Sequence, residues 1–547
     1  MVPDITPQLA VVPILINAGA AALPALIAGV ASVAALIFKP RQLVRACRRH
    51  PGRALGVLFG IAGLTALIAF WPAGDATATG TGRPATSASA STTDWTRVAL
   101  EIIREEQRRQ SRGPAVTQQV SANAEGGTVD VATSDVDAQP AIFRGGIERT
   151  GYAGGPAPLG LQPLWEYEEP FAMFLSSPIV HADRVYAAWT LLDPPNSYGG
   201  LIALDAATGD LLWEIDERDD GEPFVGIFSS PAVSADGRYV VIGQGLHYDA
   251  NCDLICVDTQ TGEIKWVAPT LLHLESSPAI YGNLVVIGAG AIEVGSDRQP
   301  EGHPGYVLAV DLETGREVWR HDIADPESSP AVIDGIAYIG SGFNGNAVVA
   351  LRTESEDALQ ASGKDRELWR RDTPYPALGP ITIAGNLVLA GCGNGDFVFR
   401  AQNPAGAVLA LDRDNGEVRW ETALPDTVLG AIAVRDNLAI CPVRNGEVIA
   451  LDLDDGAIVW RQRINGSAAI LGGPAVTEDL VYAVSQDGYL AILELQDGSV
   501  LERHYLNSER RPGTLGLSVS SPFVSDGRVY IGSETGGLRA FDGSTSR

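Results

Sequence analysis

The chain has 547 residues, of which 45% are hydrophobic and 19% are charged, and this composition excludes a chain that is disordered throughout. The formal net charge is −28, and residues 151–547 carry 25 basic and 56 acidic side chains, a net of −31. So acidic a body repels phosphate groups, which argues against DNA or RNA as a partner.

The first 74 residues predict a transmembrane hairpin. Two uncharged apolar segments, at about residues 9–38 and 54–74, are each long enough to cross a hydrocarbon core of roughly 30 Å. The loop between them, residues 39–53, holds six lysine and arginine residues, which the positive-inside rule keeps in the cytoplasm. The alternative is that residues 39–74 form a cleavable signal peptide with a basic N-terminal region. Both interpretations place everything after residue 75 on the periplasmic side of the cytoplasmic membrane.

Residues 75–140 are predicted to be a disordered linker. Its first part, residues 75–93, is rich in Ala, Thr, Ser and Gly and has no apolar period. Within the linker, residues 94–112 place Trp95, Val98, Ile102 and Ile103 on one stripe, which predicts a short amphipathic helix. A plain surface helix, a helix on the bilayer and a self-associating helix all fit this pattern.

Residues 141–547 contain an internal repeat. Five segments follow the template A-x-D-x-x-T/N/D-G-x-x-x-W, from ALDAATGDLLW (203–213) to ALDLDDGAIVW (450–460). Seven tryptophans share one repeat position and are spaced 40–53 residues apart: Trp165, Trp213, Trp266, Trp319, Trp369, Trp420 and Trp460. We expect each to pack between neighbouring units. In the seventh unit Glu502 stands where tryptophan is expected, so we expect the contact of this unit with the next one to be the weakest of the ring.

A second marker precedes each unit. It is SSP or a weaker form of it, at residues 176–178, 229–231, 276–278, 328–330, 378–380, 429–431, 471–474 and 520–522. Two strands follow each marker, and the template supplies a third and a fourth strand joined by a tight turn. Eight such units predict an all-β, eight-bladed β-propeller of four-stranded antiparallel blades. The last unit lacks its tryptophan strand, so we expect the N-terminal segment LQPLWEYEE (161–169) to close the last blade.

At the template and the marker, the sequence resembles the pyrroloquinoline-quinone-like (PQQ-like) repeat family. The leader FRGGIERTGYAGGPAP (143–158) is similar to the segment that precedes many bacterial propellers of this kind. One branch, the quinoprotein dehydrogenases, implies an axial quinone, a Ca²⁺ ion, a general-base aspartate and a disulfide between adjacent cysteines. The BamB-like branch implies an extracytoplasmic scaffold that binds proteins through loops on one face. BamB-like proteins carry a lipid on a cysteine, but the residues before Cys47 form no lipobox.

Two features favour the BamB-like branch. The chain has no Cys-Cys pair, and we expect Cys392 and Cys441 to be buried free thiols, although a bridge between adjacent blades is conceivable. PQQ is a tricarboxylate, so an acidic domain needs a Ca²⁺ bridge or an arginine cluster to hold it, and no run of sequence supplies one. We therefore expect no cofactor.

The long, variable connections join second to third strands, at residues 190–200, 244–252, 291–306 and 392–406. They emerge on the same face as the connections between blades, and functional residues concentrate on such loops. The candidate binding residues are the aromatic and charged side chains of these loops: Tyr198, His247, Tyr248, Asp249, Glu293, Asp297, His303, Phe343 and Phe397. Ordinary solvated loops have the same composition.

Metal binding and catalysis receive little support from the sequence. His247 with Asp249, or Glu293 with Asp297 and His303, could serve as metal ligands, but irregular loops fix no geometry, so no metal site is predicted. No nucleophile elbow, phosphate loop or zinc motif occurs, and no catalytic residue is predicted. The sequence therefore predicts a non-catalytic, membrane-anchored scaffold that binds protein partners. The alternatives are a dehydrogenase that depends on PQQ and Ca²⁺ and a ligand-sensing ectodomain.

Overall fold

A computed structural model of the protein describes residues 139–193, 196–247, 249, 251–290, 305–398, 400–508 and 515–544. The predicted membrane spans, the basic loop between them and the predicted helix at 94–112 lie outside the described residues. Within the part of the chain that is described, no helix has the length and apolarity that crossing a membrane requires.

In the described part of the chain, thirty-two strands form eight four-stranded antiparallel sheets, which confirms the predicted eight-bladed propeller. The first four blades take their strands in chain order: β2 (Ile179–His181), β3 (Arg184–Asp193), β4 (Asn196–Asp205) and β5 (Leu211–Ile215); β6 (Ala232–Val233), β7 (Tyr239–Gly243), β8 (Asp253–Asp258) and β9 (Ile264–Pro269); β10 (Ala279–Tyr281), β11 (Leu284–Ala289), β12 (Tyr306–Asp311) and β13 (Glu317–Asp322); β14 (Ala331–Ile333), β15 (Ile336–Ser341), β16 (Ala347–Arg352) and β17 (Glu367–Asp372).

Blades five to seven repeat this order, and blade eight completes the ring. Their strands are β18 (Thr382–Ala384), β19 (Leu387–Gly393), β20 (Gly406–Asp412) and β21 (Val418–Leu424); β22 (Ala433–Arg435), β23 (Leu438–Pro442), β24 (Glu447–Asp452) and β25 (Ile458–Arg463); β26 (Ala475–Val476), β27 (Leu480–Val484), β28 (Tyr489–Glu494) and β29 (Val500–Tyr505); β30 (Phe523–Ser525), β31 (Arg528–Gly532) and β32 (Leu538–Ser544) with β1 (Leu159–Tyr167).

Ring closure depends on β1, the N-terminal strand, which is the outermost strand of blade eight. It pairs antiparallel with β32, and Trp165 lies opposite Ala540. Because this strand comes from the other end of the repeat region, no turn joins β32 to its outer neighbour. Blade eight therefore has four strands like the other blades, and β1 covers the edge of β32.

The core lies between the blades. The second and third strands are almost wholly buried, as in β12 and β16, because neighbouring blades cover both faces of each sheet. This explains why these strands are continuous runs of Val, Ile, Leu and Ala, whereas the outer strands alternate between buried and exposed residues.

The repeat template forms one structural unit that joins two blades. In blade three, Asp311 Oδ1 accepts hydrogen bonds from the amide and hydroxyl of Thr314, at 2.9 and 2.7 Å, and Gly315 takes a φ of 68°. The Trp266 ring of blade two packs on this turn so closely that a Cβ on Gly315 would lie 2.5 Å from it. Trp266 Nε1 donates to Leu312 O at 2.8 Å. The six other repeat tryptophans donate to the next blade at 2.8–3.0 Å, the acceptors being the carbonyl oxygens of Ala206, Thr259, Thr353, Arg413, Leu453 and Leu495.

Two blades modify this unit. In blade four the turn is replaced by an insertion that contains a short helix, α1 (Glu356–Ser362), and the Arg366 guanidinium covers the Trp319 ring at 4.5 Å. In blade seven Glu502 replaces the tryptophan, and its carboxylate accepts hydrogen bonds from the amides of Gly160, at 2.5 Å, and Leu161, at 3.3 Å. Blade eight has no turn for a tryptophan to cover, so Glu502 instead binds the start of the closing strand.

The first of the predicted long loops, residues 190–200, is mostly strand. β3 and β4 pair from Arg184 and Asp205 out to Asp193 and Asn196, so the segment extends a hairpin beyond the blade. The connection is therefore shorter than the predicted residues 190–200, because Leu191, Leu192 and Tyr198 continue the strand pattern.

Candidate functional site

Hydrogen bonds between the markers form a belt around the propeller axis. The amide of the residue before the marker proline in one blade donates to the equivalent serine hydroxyl of the next blade, at 2.9–3.0 Å, through the series Gly473, Ser521, Ser177, Ser230, Ser277 and Ser329. The belt runs from blade seven through blades eight and one to blade four. Blades five and six carry the weaker markers, which have no serine, and do not continue it.

The leader closes one end of the axial channel. Its backbone bonds to the inner strands of four blades, through Val233, Ile383, Val434 and Val476. Arg149, which is fully buried, donates from Nε to Pro330 O at 2.7 Å and from its terminal nitrogens to Phe143 O, Ser277 O and Pro278 O at 3.0–3.1 Å. Arg144 donates in the same way to Gly473 O and Pro474 O. The leader thereby contacts blades two to seven.

Burial lowers the pKa of both guanidinium groups to about 9, and their mutual repulsion adds to the effect on Arg149. Both groups are therefore charged at neutral pH. Carbonyl dipoles of the markers, rather than carboxylates among the described residues, compensate these charges.

One residue of each blade, four positions before the first strand of that blade, lines the channel. These eight residues, which we call the axial ring, are Leu175, Phe228, Glu275, Glu327, Leu378, Leu429, Leu471 and Val519. They line a cavity of about 50 Å³, together with Phe143 of the leader and Phe397. Six members of the ring are apolar, and the two glutamates are adjacent, in blades three and four.

Two histidines face these glutamates and complete a cluster between blades two, three and four. His247 comes from the loop between β7 and β8, and His273 lies two residues before Glu275. His247 Nδ1 and His273 Nε2 each lie 3.0 Å from Glu327 Oε1. On the other side of its ring, His247 Nε2 lies 3.5 Å from Glu275 Oε2. Glu275 Oε1 also accepts the His247 backbone amide at 3.0 Å.

The two glutamates are in different electrostatic environments. Burial raises the pKa of Glu275, since the nearby His247 only partly offsets it. Burial also acts to raise the pKa of Glu327, but the positive charge and hydrogen bond of His247 and the hydrogen bond of His273 outweigh burial and lower it. Glu327 is therefore the ionised partner of both histidines.

The loop face, meaning the face that carries the second-to-third strand loops and the connections between blades, also carries exposed apolar side chains. Among the described residues, twelve large hydrophobic side chains are exposed. Seven of them lie on outer strands. The other five lie on the loop face, in five different connections: Phe171, Leu271, Phe343, Val398 and Leu515.

The structure brings some of the predicted binding residues together. His247 belongs to the axial cluster, and Phe397 packs edge-on against Phe228 of the axial ring, with ring centroids 5.1 Å apart. Asp249 is buried, and its Oδ2 accepts bonds from Ser197 Oγ at 2.6 Å and from the Leu246 amide at 3.0 Å, so it holds its own loop in place.

Tyr198 and Phe343 do not join the cluster. Tyr198 is half-buried on β4, and Phe343 is exposed on the loop face with its amide bonded to Asp325 Oδ2 at 2.8 Å. Tyr248, Glu293, Asp297 and His303 lie outside the described residues. His273, Glu275 and Glu327 were not predicted as site residues.

The described residues around the axis do not fit a PQQ cofactor. The cavity has room for roughly three or four water molecules, whereas pockets for cofactors measure about 300 Å³ or more. No lysine or arginine is among the described residues that line it, and two of the lining residues are acidic, so nothing there neutralises a tricarboxylate. The four cysteines at 252, 256, 392 and 441 are buried free thiols.

Comparisons of sequence and structure agree on the propeller but include two kinds of relative. The dehydrogenase ADH-IIG of Pseudomonas putida, a quinohemoprotein alcohol dehydrogenase, is 29% identical over 40% of this chain and 29% of its own length. The outer membrane protein assembly factor BamB of Xanthomonas campestris pv. campestris is 25% identical over 52% of this chain and 73% of its own. The chain thus spans less than a third of the first dehydrogenase relatives that it matches.

Two solved structures share the fold. BamB from Moraxella catarrhalis superposes with a TM-score of 0.51 at 16% identity, over 70% of this chain and 99% of that one. Quinohemoprotein alcohol dehydrogenase from Comamonas testosteroni superposes with a TM-score of 0.54 at 15% identity, over 74% and 81%. The family profile described as "Outer membrane protein assembly factor BamB" matches residues 162–356, 303–403 and 358–547. Since these matches cover more than half of the chain, the protein belongs to this family of PQQ-like β-propellers.

Proposed function

We propose that the protein is a non-catalytic scaffold that binds a protein partner through the loop face of its propeller. In this proposal the N-terminal hairpin anchors it in the cytoplasmic membrane, and the propeller is extracytoplasmic. The observation that carries the proposal is the set of five exposed apolar side chains on the loop face, contributed by five separate connections.

Backbone strain supports this role for two of these positions. Phe171 and Leu271 have positive φ angles, of 63° and 67°, and are about half exposed. A left-handed backbone at a bulky residue costs on the order of 1–3 kcal/mol. Because both side chains are half exposed, burial within the propeller does not offset this cost. A contact with a partner offsets it, and this favours a binding role for the two residues.

The chemistry of the partner follows from the charge of the propeller. Residues 151–547 carry a net of −31, and aromatic and aliphatic side chains project from the acidic surface. A partner that presents apolar side chains among basic residues complements such a face. The relatives named as assembly factors supply a precedent for partner binding on this fold.

Site-specific photo-crosslinking tests the proposal in cells that make the full chain. A photoreactive phenylalanine replaces Leu271 or Phe343 on the loop face, or Leu212 or Val459 on exposed outer strands as matched controls. We expect the two loop-face positions to capture the same protein and the outer-strand positions to capture none. Equal capture from both sets, or none from the loop face, would contradict the proposal.

The second candidate function is a quinoprotein dehydrogenase, which the dehydrogenase relatives favour. The purified full chain is supplied with PQQ and Ca²⁺, and dye-linked oxidation of alcohols is recorded. We expect no turnover above the protein-free reaction, because the described lining of the axial cavity lacks both volume and positive charge. Saturable turnover would favour the dehydrogenase.

A further inference from the structure

We propose that His247, His273 and Glu327 form a site for a divalent transition-metal ion of the zinc type, near the axis between blades two, three and four. The site is independent of the identity of the protein partner.

The geometry of the three side chains carries this proposal. One ring nitrogen of His247, one ring nitrogen of His273 and a Glu327 carboxylate oxygen all lie within 4.8 Å of one another. The two separations of 3.0 Å, from each histidine nitrogen to Glu327 Oε1, are slightly shorter than the distance of about 3.3 Å between ligands of tetrahedral zinc, which follows from bonds of about 2.0–2.1 Å. Small side-chain rotations therefore bring three ligands around one ion.

Glu275 supplies an independent observation, because it approaches the other nitrogen of His247. Its Oε2 lies 3.5 Å from His247 Nε2, on the side of the ring away from Glu327. A metal-bound histidine commonly donates its second N–H to a carboxylate, which fixes the tautomer and the ring orientation. Glu275 also accepts a hydrogen bond from the His247 backbone amide, so one buried carboxylate positions both the imidazole ring and the loop that carries it. Glu275 is thus a positioning residue.

The setting explains why an ion improves the site. The side chains of Glu275 and Glu327 are only 6% and 7% exposed and are adjacent in an otherwise apolar axial ring, so the two carboxylates repel each other in a medium of low dielectric constant. A divalent cation compensates this charge at once. It also binds the two imidazole nitrogens that lie 3.0 Å from Glu327 Oε1.

The ligand types select the kind of metal. Two imidazole nitrogens with one carboxylate suit Zn²⁺, Co²⁺, Ni²⁺ or Cu²⁺, whereas Ca²⁺ prefers six to eight oxygen ligands. Three protein ligands leave a fourth position, and Glu327 also lines the axial cavity, where a water molecule or a side chain of a bound partner can complete the coordination. The site therefore differs in its ligands from a Ca²⁺ and quinone site.

Zinc binding to the purified full chain tests the proposal. The protein is stripped with EDTA, equilibrated with zinc chloride at buffered free concentrations, and its zinc content is measured by mass spectrometry together with Tm. We expect one zinc ion per chain and a rise in Tm that calcium chloride does not produce. His247→Gln and Glu327→Gln should bind zinc at least a hundredfold more weakly, and Glu275→Gln should bind it ten- to a hundredfold more weakly.

His321→Gln is the matched control. His321 also pairs with a glutamate, since its Nε2 lies 3.6 Å from Glu367 Oε2, but both residues lie on outer strands, away from the axis. This variant should bind zinc as the parent chain does. Should a variant lose stability even in EDTA, the absorption spectrum of the parent chain loaded with Co²⁺ decides the matter. We expect the intense visible bands of four-coordinate Co²⁺. A six-coordinate spectrum, no stoichiometric zinc, or equal binding by all variants would overturn the proposal.

Discussion

Each repeat tryptophan holds two blades together with one side chain. The ring of Trp266 covers the turn of the next blade, and its Nε1 bonds to Leu312 O. The turn residues Asp311, Thr314 and Gly315 shape the surface on which the ring lies. Tryptophan, aspartate and glycine thus recur together because each is a part of the same contact.

Trp266→Ala should lower the free energy of unfolding by about 3–5 kcal/mol, because it leaves a cavity between blades two and three. Trp266→Phe keeps most of the apolar contact and loses the hydrogen bond, so we expect a loss of about 1–2 kcal/mol. Urea unfolding followed by fluorescence or circular dichroism measures both. Leu212→Ala, on an exposed outer strand, should change stability by less than about 0.5 kcal/mol. Equal effects of all three substitutions would contradict the inter-blade contact.

The buried cysteines should be chemically silent in the folded protein. Burial raises the pKa of Cys256 and of Cys392 to about 12 and also raises those of Cys252 and Cys441. At pH 8 only about one thiol in ten thousand is then a thiolate. In a Cys47→Ser background, a thiol reagent such as dithionitrobenzoate should label no cysteine of the native chain and four after unfolding in urea. Rapid labelling of a native thiol at pH 8 would show that its environment differs from the one described.

At the scale of elements, the leader is a structural part of the propeller. Glu148, Thr150 and Gly151 accept hydrogen bonds from inner-strand amides, and the two buried arginines bind marker carbonyls. The sequence predicted the leader only by resemblance, because its residues follow neither a strand period nor a helix period. Its hydrogen bonds to the blades join residues that are more than ninety positions apart, so local pattern alone does not reveal them.

Arg149→Met should release the leader while the blades stay folded. The substitution leaves four buried carbonyl oxygens without their donor, at a cost of about 3 kcal/mol or more. We expect faster hydrogen exchange at the amides of Ile383, Val434 and Val476, which bond to the leader, and unchanged exchange at Val349 within blade four.

Arg503→Met is the control for this change, because Arg503 also donates to a carbonyl, Ile464 O at 2.6 Å, but from an exposed outer strand. It should leave leader exchange unaltered. Protection of all three amides in Arg149→Met would mean that the guanidinium does not hold the leader.

The markers show how far the sequence could predict the axial site. The residues before the eight markers are Leu, Phe, Glu, Glu, Ala, Val, Ile and Val, so two acids interrupt an apolar series and could have been singled out. In blades five to seven the structure places the first marker residue in the ring instead. The path of the loop that carries His247 has no pattern, and its approach to Glu327 in blade four could not be predicted. The pattern of apolar residues along a strand predicts the blades because it reflects which side chains are buried. The geometry of a loop depends instead on its contacts with other blades.

At the scale of the whole molecule, the two ends of the axis differ. The leader closes one end with backbone bonds and buried arginines. The other end is the loop face, with the axial ring and five protruding apolar side chains. Exposed apolar residues also lie on the outer strands, such as Leu212 and Val459, which belong to the outer wall of the ring and not to either end of the axis. The loop face is therefore the surface that we expect to bind a partner.

The most direct measurement compares two triple variants of the full chain in native membranes. One replaces Leu271, Phe343 and Val398 on the loop face with serine, and the other replaces Leu212, Val418 and Val459 on the outer strands. The quantity measured is the yield of the partner that a photoreactive group on the loop face captures. We predict that the loop-face variant loses at least tenfold in yield while the outer-strand variant keeps the parent value. Equal yields from the two variants, with both folded, would contradict a loop face that binds the partner.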